Sequence, residues 1–179
     1  MKNVLIPSVA AGALSAVLLV TATSAQSATL AQSRLDDAEG TPVGMAYLRD
    51  TPAGVLLHVK FDGLPPGTHA FHIHKTGKCE APSFKSAGGH YAPQGHNHGF
   101  LDPNGPHAGD MPNIHVPESG KLEIEVLTGA TSVQDGLLAG DGTALVVHAG
   151  ADDYHTDPAG DAGKRIACGV IEAADQSGK

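Results

Sequence analysis

The stretch HYAPQGHNHGFLDPNGPHAGD, His90 to Asp110, holds four histidines and two aspartates among prolines and glycines, with no cysteine and no helical period. A loop of this length without regular structure is usually functional or disordered. His90, His98, His107 and Asp110 offer three borderline nitrogens and one hard oxygen. Those are the donors of a closed tetrahedral zinc shell, which is a structural rather than a catalytic site. A second group lies elsewhere. In THAFHIHK, strand alternation puts Phe71 and Ile73 on the core face and His72 and His74 side by side on the other, within reach of one ion. Taken alone, such a pair reads more readily as an exposed polar face. His148 ends the apolar run LVVH, where a buried, hydrogen-bonded histidine is the plain alternative. Together these seven donors are one short of two four-coordinate ions. A single imidazole that gives one nitrogen to each ion removes the deficit.

The elements that must position these donors read as strands and corners. ATLAQSRL, VGMAYLRD and GVLLHVKFDGL are separated by the turn chemistry of DDAEG and DTPAG. In KLEIEVLTG, Leu122, Ile124 and Val126 share one face while Lys121, Glu123 and Glu125 share the other. TALVVHAG and RIACGVI complete a set of seven or eight strands, which suggests an all-β Greek-key sandwich or barrel. Segments of roughly 75–117 and 149–164 do not fit as strands and read as long excursions. With 23 Gly, 12 Pro and no Trp, long helices are not expected.

Residues 1–25 differ from the rest: Lys2, an apolar run from Val4 to Val20, then TATSAQSA. That order reads as a secretory signal cleaved after Ala25, with an uncleaved membrane anchor as the alternative, and leaves one exported domain over 26–179. The formal charge of −8 becomes −9 once Lys2 is removed, which argues against nucleic acid and anionic membranes as partners. Cys79 and Cys168 most simply pair in an oxidising compartment, with free thiols or metal ligation as the alternatives.

In this order and spacing, GLPPGTHAFHIHKTGKC, FKSAGGHYAP, the histidine loop through HAGDMPN, LVVHAGADDYHTDPAGDAG and RIACGVI resemble the copper,zinc superoxide dismutase family in its exported bacterial form. The resemblance implies an eight-stranded Greek-key β-barrel, a sandwich of immunoglobulin-like kind, with two long loops carrying the metals outside it. It implies one copper per subunit on His72, His74, His90 and His148. One zinc would sit on His90, His98, His107 and Asp110, with His90 bridging. The implied reaction is disproportionation of superoxide to oxygen and hydrogen peroxide, an antioxidant activity in which copper is alternately reduced and oxidised while zinc is structural. His90 would carry a proton, and Arg165 would dock the anion. Asp152 matches the carboxylate that links His72 to His98. Cys79 and Cys168 match the family disulfide, and the position of Cys79 five residues after His74 points to the bacterial branch. A homodimer is left open, because bacterial members differ in whether they dimerise.

Three features test this reading. An exported copper- and zinc-buffering protein would keep the histidines but would need neither Arg165 nor Asp152. A zinc hydrolase is disfavoured because Asp110 and three histidines close the shell. Among the other histidines, His69 is expected to brace the barrel by hydrogen bonding. The eight-residue step from His90 favours His98 over His96, while His58 and His115 are read as surface and His155 as part of the loop over the channel. Lastly, ADDYHTDPAGDAGKR offers only Lys164 and Arg165 against four aspartates. Attraction of an anion therefore depends on local cations such as Lys75 or Lys85.

Overall fold

The structure, a computed structural model, describes residues 30–174; the leader expected over 1–25 lies outside them. Ten strands follow in chain order. They are β1 Leu30–Asp37, β2 Pro42–Thr51, β3 Gly54–Asp62, β4 Gly67–His69, β5 Phe71–His74, β6 Ile114–Val116, β7 Lys121–Leu127, β8 Ala144–His148, β9 Arg165–Val170 and β10 Glu172–Ala173. All pair antiparallel in a curled sheet of order β5-β8-β9-β1-β2-β3-β7, with β10 on β1 and a separate β4-β6 pair. Only Ala70 separates β4 from β5, and only Ile171 separates β9 from β10. Counted as continuous, these give the eight strands of the expected Greek-key barrel. At Ala70 the chain changes partner: its N–H donates to Gly150 and its carbonyl accepts from His148.

Alternation decides the core. Leu35, Leu48, Leu57, Val59, Phe71, Ile73, Leu145 and Val147 point inward and are buried, with Phe61 and Phe71 meeting edge to face at 5.5 Å. Each such side chain contributes on the order of 1.5–3 kcal/mol. Strand β7 follows the expected pattern, its even-numbered residues half-buried and its odd-numbered ones exposed.

The outer face of β5 and β8 is unlike that of the other strands. Ala144 and Val146 pack there with Phe84, Ala87 and Cys168 in a second small cluster, because the first long excursion roofs this face. That excursion is not wholly irregular, as the sequence reading had it. It contains β6 and a short 3-10 turn at Lys85–Ala87, and a single π-helical turn at Val133–Leu137 also went unforeseen. The Cys79–Cys168 disulfide forms, with Cα atoms 5.6 Å apart, and ties the roof to β9. Closing a loop with a separation of 89 is worth about 4–5 kcal/mol in the chain-entropy model. Among the described residues no helix is long and apolar enough to cross a membrane.

Candidate metal centre

His72 and His74 stand on the outer face of β5, paired with Val146 and Ala144 of β8. His148 ends β8, where the ladder to β9 shifts register and re-aims its side chain. The fourth member, His90, comes from the roof. The roof is laid along β5 by backbone bonds: Tyr91 N–H to Ile73 O and Ile73 N–H to Gly109 O, both 2.9 Å, and Gly109 N–H to Tyr91 O, 2.8 Å. Isolated bridges His74 to His90 and His72 to Asp110 complete the seam. The result is four buried imidazoles, His72, His74, His90 and His148, whose donor atoms lie within 4.8 Å of one another.

Nitrogen accounting identifies the atoms that converge. His74 Nδ1 donates to Gly88 O at 2.9 Å, and His148 Nδ1 faces Gly163 O at 3.4 Å. Each therefore presents its Nε2, and these two atoms are 3.4 Å apart. His72 Nδ1 and His90 Nε2 are fully buried with no hydrogen-bond partner. Orphaned buried nitrogens are costly in a native fold, and here both belong to one cluster of imidazoles. A cation would satisfy all four lone pairs together, so the donor set fits a nitrogen-preferring ion such as copper.

The zinc-type set is as compact. Asp110 Oδ1 lies 2.8 Å from His90 Nδ1, 3.1 Å from His98 Nδ1 and 3.3 Å from His107 Nδ1. Its Oδ2 accepts the N–H groups of Gly99 and His107 at 2.9 and 3.0 Å. These four residues again fall within 4.8 Å, and their N3O composition fits zinc. His90 belongs to both sets, through Nε2 on one side and Nδ1 on the other.

Asp152 joins the sets from behind. Its Oδ2 accepts from His72 Nε2 at 2.8 Å and its Oδ1 from His98 Nε2 at 3.0 Å, with all three side chains fully buried. Such partners fix tautomer and ring orientation. The electrostatics follow. Burial first, with the neighbouring His72 adding to it, lowers His90 to about 4 and His148 to about 3, and His74 is also held well below its usual range. All three are thus neutral, as ligands must be. His98 goes the other way, to about 9: burial opposes the shift, but the hydrogen bonds to Asp110 and Asp152 outweigh it. Against the same penalty of burial, their histidine partners hold Asp110 and Asp152 below the usual carboxylate range.

Arg165 is tethered at both ends of its fork: Nη1 donates to Phe84 O and Nη2 to Gly88 O, each at 2.6 Å. The Gly88 carbonyl therefore orients both this guanidinium and the His74 ring. Burial lowers the Arg165 pKa, yet from a range so high that the cation persists. Lys85 and Lys164 line the same cleft, with Pro82, Ser83 and Gly163.

His69 is buried, with ring nitrogens 2.9 Å from the carbonyls of Pro65 and His148, the expected brace. His96, His115 and His155 are exposed. His58 is half-buried on the outer barrel face and donates to Glu123. Sequence reasoning missed the carbonyls of Phe84 and Gly88, which carry no side-chain signal. It also missed Gly160: a Cβ there would overlap Asp152 Oδ1 and lie 2.7 Å from His98 Nε2.

Comparison with known proteins agrees with this geometry. The family model for copper/zinc superoxide dismutase matches residues 43–171. A superoxide dismutase [Cu-Zn] of Aquifex aeolicus is 48% identical over 165 residues, covering 89% of this chain and 96% of that protein. The enzyme of that name from Caulobacter vibrioides is 41% identical over 75% of this chain and 80% of its own. Among solved structures, a SOD-like protein from Bacillus subtilis superposes with a TM-score of 0.75 at 37% identity, covering 78% of this chain and 96% of that one. Cu/Zn superoxide dismutase from Brucella abortus gives 0.67 at 30%, covering 80% and 99%. A barrel of this topology, two histidine clusters sharing one residue and relatives at this level of identity place the chain in the copper/zinc superoxide dismutase family.

Proposed function

We propose that the chain disproportionates superoxide to oxygen and hydrogen peroxide, with His72, His74, His90 and His148 holding copper and His90, His98, His107 and Asp110 holding zinc. The observation that carries the assignment is the pair of orphaned buried nitrogens, His72 Nδ1 and His90 Nε2, beside a second set that already engages His90 through Nδ1. When bound, copper supplies the one-electron oxidation and reduction, while zinc has no redox chemistry of its own.

The chain's residues do the rest. Arg165, held by two carbonyls, offers its remaining N–H groups to a small anion at the cleft beside His74 and His148. Asp110 fixes the His90 ring at Nδ1, which leaves Nε2 as the atom that takes up and gives away a proton when peroxide forms. Asp152 keeps His72 and His98 in the tautomers that point Nδ1 of each toward its ion. Metal buffering alone would need neither the tethered arginine nor this carboxylate.

Pulse radiolysis of superoxide in the presence of the copper- and zinc-loaded protein tests the reading. Rapid second-order loss of superoxide is expected. An inert protein with both sites full would make it a metal store. We further propose export, with cleavage after Ala25, which the Cys79–Cys168 disulfide supports. Phe100, Leu101 and Leu127 are exposed, and Phe100 and Leu127 also line one apolar groove. This is the face on which we place a homodimer. Sedimentation of Phe100→Asp against the parent decides it.

A further inference from the structure

Asp152 spans His72 and His98, but a carboxylate at the foot of a long loop needs its own support. That support comes from the other loop. Asn113, three residues past Asp110, grips the Asp152 backbone with both ends of its amide: Nδ2 donates to Asp152 O and Oδ1 accepts from Asp152 N–H, each at 2.8 Å. The backbone N–H of Asn113 in turn donates to Tyr154 Oη at 2.7 Å. Tyr154, two residues on, has a left-handed backbone (φ 62°) and donates its own N–H to Asp152 Oδ1 at 2.6 Å. A side chain of one excursion thus holds the backbone of the other at the residue whose carboxylate orients two rings.

Only asparagine meets both demands at this reach. Serine or aspartate cannot supply donor and acceptor in the same plane, and glutamine is one methylene too long. The amide spends its hydrogen bonds on the Asp152 backbone, and it is the Asp152 carboxylate that meets His72 and His98. The route from the Asn113 amide to the zinc-side donors therefore runs through Asp152.

We propose that Asn113 is a positioning residue that latches the two long loops together and, through the Asp152 carboxylate, sets how tightly His98 can hold zinc. The inference rests on the zinc assignment above, and its test separates the two. Copper-free protein is titrated with zinc against a chromophoric chelator for the parent, Asn113→Ala, Asp152→Ala and the double variant. Asp152→Ala is expected to weaken zinc about 10- to 100-fold and Asn113→Ala about fivefold to tenfold. The double variant should bind no more weakly than Asp152→Ala alone, because the route through the carboxylate is already cut.

Asn113→Asp keeps the volume and the acceptor but loses the donor to Asp152 O. It should fall between parent and alanine, and it serves if Asn113→Ala does not fold. Unchanged zinc affinity in Asn113→Ala and Asn113→Asp overturns the latch. Effects that add in the double variant also overturn it, since a general loosening of the loop would add. A parent that binds no zinc overturns the site assignment itself and the latch with it.

Discussion

Three of the four proposed copper-side donors stand on barrel strands, whereas all four proposed zinc-side donors come from the stretch between His90 and Asp110, which holds no strand. The copper half inherits its geometry from the β5-β8 ladder, whose register pairs His72 with Val146 and His74 with Ala144 over a packed core. The zinc half meets that ladder only at its two ends, where His90 and Asp110 bridge to β5. Its order comes from Asp110, which gathers three imidazole nitrogens and two backbone N–H groups, and from whatever ion replaces the protons on those nitrogens. The barrel therefore prepares one half, and on the proposed assignment the other would be finished by the metal bound there.

The largest expected effect separates the halves by function. His148→Ala removes a proposed copper-side donor that is not a member of the zinc-side set. Superoxide disproportionation should fall by about a thousandfold or more, a loss of at least about 4 kcal/mol in transition-state stabilisation. Metal analysis should still find one zinc per chain. Loss of both metals from this variant would show that the two halves do not form independently.

Next comes stability. If zinc is present at about a thousand times its dissociation constant, its removal costs about 4 kcal/mol, or on the order of 10 °C in Tm for a domain of this size. The distribution of the loss sharpens the contrast more than its size does. Hydrogen exchange should accelerate in residues 90–113 and hardly at all in β1, β2 and β3. Uniform acceleration would mean that the zinc half supports the barrel rather than resting on it.

The same contrast explains what was legible in the sequence. His72 and His74 could be placed on one face because alternation in a strand has a period of two and the neighbours Phe71 and Ile73 are apolar, whereas His148 could be placed only at the end of an apolar strand. The longer strands were legible from such patterns and the turn residues between them, to within a residue or two at the ends, whereas the three-residue β6 was too short to show any period. The loop donors were legible only as a count of types: nothing in HYAPQGHNHG says that Asp110 Oδ1 will meet three Nδ1 atoms. Three groups the site depends on lie beyond any pattern. The Phe84 and Gly88 carbonyls are backbone, and Gly160 sits in AGDAG, which reads only as a turn.

Gly160 gives the third prediction. It has φ +68° and packs against the buried carboxylate of Asp152, leaving no room for a methyl group. Gly160→Ala should push Asp152 off His98 and weaken zinc about 10- to 100-fold, while copper affinity, which depends on the strand-borne histidines, should change less. Competition titrations of each metal check the ratio. Equal weakening of both would place the damage at His72, on the copper side of the carboxylate bridge.

The smallest effect concerns how a chain of charge −8 draws in an anion. The second loop carries four aspartates, but their carboxylates are largely occupied. Asp152 faces two histidines, Asp153 accepts from His155 and Thr156, and Asp157 accepts from the His98 N–H. The cleft that Arg165 shares with Lys85 and Lys164 has no acid in its lining, while Asp37 and Glu39 line the adjoining hollow beyond Pro82. Within a Debye length, about 8 Å at physiological salt, a superoxide at the cleft is governed by these three cations rather than by the net charge. The double variant Lys85→Ala, Lys164→Ala should slow the bimolecular rate about two- to fivefold at low ionic strength and less as salt rises, with both metals still bound. A parent-like rate and salt dependence in that variant would leave Arg165 as the sole attractor. The copper half would then rely for its substrate, as for its geometry, on groups fixed to the barrel.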